Sequence, residues 1–293
     1  MSIHTSVLVK EVLEYLDIKE GSKIIDATIN GGGHTRAMLE KFQDIEILGI
    51  EWDPEIYKNL KIDDKRLRVI NDSYVNLKNI VEKHDFSPDG ILFDLGLSSW
   101  HYEHSGRGFS FKRDEPLDMR YNPSTGSGQA ATEVVNTYSK EELEKIIREY
   151  GEEKFSKQIA ESIVHARKQK PITTTGELVE VISDSVPFWY KKRKIHFATK
   201  TFQAFRIEVN AELKNVEKGV SSAIGVLGSG GRLAVISFHG LEDKIVRELF
   251  KKKAKEGVVK WVVKGTVKPK WEEIKNNPRA RSAKMKIVEK LRN

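Results

Sequence analysis

The sequence predicts an α/β fold: a doubly wound, mostly parallel sheet with helices on both faces and an inserted all-helical segment. Three observations predict it. From Met1 to about Arg107, short apolar β-branched runs alternate with helical patterns, an interval that implies parallel pairing through crossover helices. From Ala130 to about Val186 only helical patterns occur. GGRLAVISFHG (Gly230–Gly240) then returns to a strand. The simplest account is one α/β domain, residues 1–108 and 213–293, carrying an inserted helical domain at 109–212.

The elements follow in order. VLVKEVLEYL (Val7–Leu16) has helical spacing, and KIIDATI (Lys23–Ile29) is a short strand ending at three glycines. HTRAMLEKF reads as a helix, and IEILGIEW (Ile45–Trp52) as a second buried strand. DPEIYKNL starts a helix with Asp53 suited to the N-cap and Pro54 to its first turn. RLRVIND is a third strand, YVNLKNIVEKH a helix, and GILFDLG (Gly90–Gly96) a fully apolar fourth strand. Gly106–Gln129 is rich in Gly, Pro, Ser and charge and reads as a long loop.

Within the insertion, SKEELEKIIREYG holds Ser139 and Glu142 in capping-box positions and closes on Gly151. EEKFSKQIAESIVHARKQ and TGELVEVISDSV are further helices, and KKRK (Lys191–Lys194) is a basic loop. ATKTFQAFRIEVNAELKNVEKGVSSAIGVL (Ala198–Leu227) begins a long helix. After the strand at Gly230–Gly240 come a helix, LEDKIVRELFKKK, and a late strand pair, VVKWVVKG and SAKMKIVEK.

Composition bounds the function classes. With 39% hydrophobic and 32% charged residues the chain is globular. It contains no apolar run of about 18 residues, so no membrane span is expected. The N-terminus lacks the basic, apolar and cleavable pattern of an export signal, so a cytoplasmic protein is expected. Zero cysteines exclude disulfides, thiolate catalysis and Cys-ligated metals. No His/Asp/Glu set has metal-ligand spacing, and no metal is expected. The net charge of +7 is uneven: Lys251–Asn293 holds 15 Lys/Arg against 4 Asp/Glu, leaving 35 against 39, or −4, for the rest. Such a basic end suits a polyanion, although a solvated surface would look the same.

The chemistry begins at DATINGGGHTRAMLE (Asp26–Glu40). A strand, then glycines, then a helix lets a ligand approach the backbone and meet unpaired N–H groups. The dinucleotide fingerprint needs a third glycine that here is Arg36 or Thr35, and the P-loop pattern is absent. Glu51 closes the second strand 18 residues beyond Gly33, near the roughly 20-residue offset at which a carboxylate meets ribose hydroxyls. Asp53 is its rival, but the following Pro54 assigns Asp53 to capping. The expected ligand has an adenosine-type ribose and no need of phosphate recognition.

Seven blocks in order, HTSVLVKEVLEYL, DATINGGGHTRAMLE, ILFDLGLSS, RGFSFKRDEPLDMR, TKTFQAFRIEVNAEL, ISFHGLEDKIV and NPRARSAKM, resemble the MraW/RsmH family over nearly the whole chain. That family methylates the 4-amino group of a cytosine in bacterial small-subunit (16S) ribosomal RNA with S-adenosylmethionine. The resemblance implies the Rossmann-like class I methyltransferase sheet with a helical insertion. By position, it implies cofactor contacts at Gly32, Gly33, His34, Glu51, Tyr74, Asp94 and His101. The family often has Asp where Glu51 stands and Gln where His101 stands. The implied partner is the ribosomal RNA, free or within the assembled subunit.

Cytosine's exocyclic amine is a poor nucleophile because its lone pair is delocalised into the ring. Asp94 is the candidate catalytic residue, serving the amine or the cofactor's amino-acid end, and backbone carbonyls around Leu95–Leu97 could accept the amine's protons. His239 suits a structural role better than that of a general base. The loop cations Arg107, Lys112, Arg113 and Arg120 are candidate phosphate contacts. KKRK and NPRARSAK, with Arg279 and Arg281, are further candidate RNA surfaces, and Trp189, Tyr190, Trp261 and Trp271 lie among them. Three rivals remain at this point: a nicotinamide-dependent oxidoreductase, a non-enzymatic RNA-binding assembly factor, and a small-molecule methyltransferase.

Overall fold

The computed structural model describes residues 6–125 and 128–292. His4 and Thr5 of the first motif, and Gly126 and Ser127 of the long loop, lie outside the described residues. The chain divides into two compact units, one from the stretches before Ser99 and after Glu212, the other Ser99–Glu212. The first crossover therefore comes earlier than the 108/109 boundary read from composition.

The first unit opens with α1 (Val9–Tyr15), β1 (Ser22–Asp26), α2 (Gly33–Lys41), β2 (Ile45–Glu51), α3 (Pro54–Asn59), β3 (Leu67–Asn71), α4 (Leu77–His84) and β4 (Gly90–Asp94). Asp53 caps α3, its carboxylate accepting from the Glu55 N–H at 2.9 Å. The second unit is helical: α5 (Ser99–Glu103), α6 (Ala131–Thr137), α7 (Lys140–Glu149), α8 (Ser156–Gln169), α9 (Thr175–Ser185), α10 (Phe188–Lys191) and α11 (Thr199–Val209). Ser139 and Glu142 form a reciprocal capping box on α7, and Thr174 and Glu177 form another on α9. Leu143, Ile146, Ile147, Ile159, Ile163, Leu178 and Ile182, at helical spacing, are buried in this unit. The chain then runs through α12 (Glu212–Val226), β5 (Arg232–Ser237), α13 (Gly240–Lys255), β6 (Val259–Trp261), α14 (Trp271–Asn276) and β7 (Lys284–Lys290).

One expectation fails between α11 and α12, where a single long helix was read. Ala211 takes a left-handed φ of 48°. The cause is Asn210, whose amide donates to the Met119 carbonyl at 2.7 Å and whose Oδ1 accepts from the Tyr121 N–H at 2.8 Å. Those bonds tie the break to a loop about 90 residues distant, which helical periodicity cannot register.

The seven strands order as β3-β2-β1-β4-β5-β7-β6. The first five pair in parallel, and β7 runs antiparallel to both β5 and β6. Alternate strand residues feed opposite faces. Ile25, Leu48, Ile50, Ile91, Phe93 and Val235 pack against α4, α12 and α13 through Leu77, Ile80, Val220, Ile224, Val246 and Phe250. Ile24, Ile45, Ile47, Leu92, Ala234 and Ile236 pack against α1 and α2 through Val12, Leu16, Met38 and Leu39. Both faces are covered, which is why these strands read as continuous apolar runs. Among the described residues no helix is long and apolar enough to cross a membrane.

Candidate active site

The chain leaves β1 first toward β2 and later returns to β4 on its other side, so the strand order reverses at β1. In an open α/β sheet the crevice beyond the carboxyl ends at such a switch point is where ligands bind. Three strands end there on acids: Asp26 on β1, Glu51 on β2 and Asp94 on β4. All three are buried.

The glycine loop joins β1 to α2. Asn30 and Gly32 are both left-handed, with φ of 48° and 74°. The missing side chains leave room for the protein itself as well as for a ligand. A Cβ on Gly32 would stand 2.4 Å from Ile62 Cδ1, and one on Gly33 would stand 2.1 Å from Ser6 Oγ. The N–H groups of Gly33 and His34 lie in the first turn of α2 and have no acceptor within the helix. The His34 ring is not free for a ligand. It is buried, its Nε2 is 2.9 Å from the Val7 carbonyl, and its Nδ1 is 3.7 Å from Asp94 Oδ2. What His34 has to offer a ligand is therefore its backbone.

Glu51 accepts from the Asp53 N–H at 2.8 Å. Burial pushes its carboxyl up to about 8, helped by the Asp53 and Asp26 charges and opposed by the N–H groups of Asp53 and Asn30. Asp94 is held by its N–H, which donates to Thr28 Oγ1 at 2.6 Å. Its Oδ1 is buried without a hydrogen-bond partner among the described residues. Burial raises the Asp94 carboxyl to about 6; His34 pulls it down, while Asp26 and Glu242 push it up. Burial likewise raises Asp26, which accepts from Thr35 Oγ1 at 2.8 Å. Three carboxyls that resist ionising next to one another suit a cation and repel a pyrophosphate.

Tyr74 opens a short 3-10 turn after β3 and meets Phe93 edge-on at 5.4 Å. Gly219 on α12 makes that position possible, since a Cβ there would stand 2.4 Å from Tyr74 Cδ2. Replacing Gly219 with Ala should lower the melting temperature, because overpacking costs about 1–3 kcal/mol against a helix-propensity gain of about 1 kcal/mol. A melting temperature that rises would show that Tyr74 gives way freely.

His101, in the second unit, is buried in an aromatic cluster with ring centroids of Trp100, Phe109 and Tyr121 at 5.7, 5.1 and 5.2 Å. Arg107 is buried, its guanidinium donates to the carbonyls of Arg120 and Tyr121 at 2.8 and 2.9 Å, and it lies over the rings of Trp100 and Phe109, bracing the loop. Arg120 is half-buried, its Nε and Nη2 donating to Asp118 at 2.7 and 2.8 Å. Arg113 is exposed, with Glu115 at 3.4 Å and the Glu103 carbonyl as neighbours. Arg279 and Arg281 are exposed on the 3-10 turn Pro278–Ser282 that precedes β7. His239 Nε2 lies 3.1 Å from Glu242 Oε1, and both ring nitrogens are buried without a hydrogen-bond partner among the described residues.

Sequence reasoning missed Asp26 and Gly219. The signal for Asp26 was present, since it is the last strand residue before the glycines. That for Gly219 was not, since nothing local marks a helical glycine as facing a distant tyrosine.

The family model described as the MraW methylase family matches residues 1–291. A protein of Thermosipho melanesiensis named ribosomal RNA small subunit methyltransferase H is 45% identical over 296 residues, covering 98% of each chain. Proteins of the same name from Persephonella marina and Dictyoglomus thermophilum are 42% and 43% identical, covering 98% and 100% of this chain and 99% and 98% of their own. A seven-stranded sheet with a glycine loop at its switch point, matched along essentially its whole length, places this chain in the MraW methylase family.

Proposed function

We propose that the chain transfers the methyl group of S-adenosylmethionine to the exocyclic 4-amino group of a cytosine in small-subunit ribosomal RNA. The observation that carries the reading is the trio of buried carboxyls beside the glycine loop. S-adenosylmethionine has a sulfonium and an ammonium against one carboxylate, the net positive charge this site suits, whereas a nicotinamide dinucleotide brings a pyrophosphate. The residues fit the donor part by part. Glu51 accepts from the vicinal ribose hydroxyls. The backbone of Gly32, Gly33 and His34 borders the amino-acid end, and the unpartnered Asp94 Oδ1 receives a donor there or from the target amine. Tyr74 packs beside the nucleoside, and His101 completes the set that the family resemblance implies.

Once bound, the donor supplies a methyl already activated by positive charge. The protein's task is then positioning, worth about 7–11 kcal/mol where two reactants are held aligned. Acceptors around Asp94 and the Leu95–Leu97 carbonyls draw on the amine's protons and free its lone pair. The base must be unpaired or extruded to reach a buried donor. Lys112, Arg113, Arg279 and Arg281 are exposed cations among the candidate phosphate contacts, and binding through them falls with added salt.

The decisive experiment is mass spectrometry of ribosomal RNA fragments from cells with and without the gene. One cytosine should lose its methyl, and re-adding the purified protein with labelled donor should restore it to free RNA or to isolated subunits. An unchanged methylation map rejects the proposal.

A further inference from the structure

The second unit carries an aromatic patch that its own core does not explain. Phe188, Trp189 and Ile195 are 71%, 56% and 54% exposed, and all three lie in the single run PFWYKKRKI. Burying a ring is worth a few kcal/mol, so clustered rings left in solvent mark an interaction surface.

The way α10 is anchored explains the exposure. Tyr190 points inward at 3% exposure, its hydroxyl donating to Glu153 Oε2 at 2.6 Å and its ring meeting Phe155 edge-on at 4.9 Å. With Tyr190 pinned, its neighbours Phe188 and Trp189 face out. Cations stand over these rings: Lys154 Nζ lies 4.2 Å from the Trp189 centroid, and Lys192 Nζ lies 4.9 Å from that of Phe188. Arg193 and Lys194 are exposed beside them. No acidic residue occurs between Asp184 and Glu208.

We infer that this patch is a stacking platform for unpaired bases of the RNA, with Phe188 and Trp189 as the faces and Lys154, Lys192, Arg193 and Lys194 as the phosphate contacts. The inference rests on the RNA reading above and adds the means by which a single strand is held. Aromatic faces set among cations match a partner that is both polyanionic and rich in flat rings. A duplex offers the charge but keeps its bases stacked on one another, so it would use only half of the patch.

The test uses the full-length protein, a fluorescent single-stranded oligoribonucleotide and a duplex of equal length, with binding followed by anisotropy across a salt series. The F188A/W189A double variant should bind the single strand about tenfold or more weakly, with an unchanged salt slope, because base stacking is worth ~1–3 kcal/mol per base. W189F should restore most of that loss. Replacing Lys192, Arg193 and Lys194 together by Ala should flatten the salt slope by about 2, since each phosphate contact on a single strand contributes about 0.7. All these residues are at the surface, so melting temperature and donor affinity should not move.

Unchanged single-strand affinity in the double variant would overturn the platform, as would an equal loss on the duplex or binding confined to anionic vesicles. The two readings separate cleanly. A wild type that binds RNA but transfers no methyl refutes the methylation reading and leaves the platform standing. A double variant that methylates with unaltered KM refutes the platform alone.

Discussion

Replacing Glu51 with Gln abolishes the thermal shift produced by S-adenosylmethionine and, at the same pH, makes the ligand-free protein more stable. This is the expected result, and both halves have one cause. Burial raises the Glu51 carboxyl from its ordinary value of 4.5 to about 8. A raised carboxyl binds more protons folded than unfolded, so its contribution is complete below about 4.5 and is lost as pH rises through about 8. At pH 8 the ionised side chain therefore costs up to ~4 kcal/mol, of which burial of the Gln amide takes back about 1–3 kcal/mol. A net gain of roughly 1–3 kcal/mol should appear as a melting temperature several degrees higher. The donor at 100 times its Kd should add ~2.7 kcal/mol to the wild type and almost nothing to the variant.

The same group makes donor binding proton-linked. Ribose hydroxyls donate more strongly to the carboxylate than to the acid, so binding draws a proton off at neutral pH. Affinity should rise by up to about tenfold per pH unit until the Glu51 value and level off above it. Calorimetry in buffers of different ionisation enthalpy reads that proton directly. Donor affinity that is flat between pH 6 and 8 would take Glu51 out of the ribose site.

Asp94→Asn is the second large effect. It should cut methyl transfer by about 10²–10³-fold, the usual loss when one preorganised electrostatic group is removed, while the protein remains folded. Asn keeps the shape but cannot carry charge, and Oδ1 is buried with no hydrogen-bond partner among the described residues. The wild-type rate should fall with acid below about 6 as Asp94 takes up its proton. In Asp94→Asn that limb should vanish. Wild-type turnover in the variant would return the residue to a purely structural role.

Much of the fold was legible because its cause is local. Ile24–Ile25, Ile47–Leu48 and Ile91–Phe93 are apolar without alternation, the mark of strands covered on both faces, and both cores lie on them. Ser139 and Asp53 announced helix starts because a cap acts within three residues. Glu51 was legible through its distance from the glycine loop, since strand and crossover lengths fix which strand ends meet. The partners of Arg107 and Arg120 were illegible for the opposite reason. An arginine in a Gly/Pro-rich loop looks free until the loop folds back and offers carbonyls or Asp118 to its fork.

By itself, then, the order of residues determined the alternation of strands and helices, the place of the glycine turn, the acid at the ribose offset and the family. Each depends on neighbours a few residues apart or on a motif kept in line. Only the tertiary structure decided that Asp26, Glu51 and Asp94 sit together out of water, that the His34 ring is turned inward, and that α11 ends at Asn210. Those outcomes depend on which distant groups come into contact and how far water is excluded. Burial and its electrostatic cost arise between segments, and no single segment carries them.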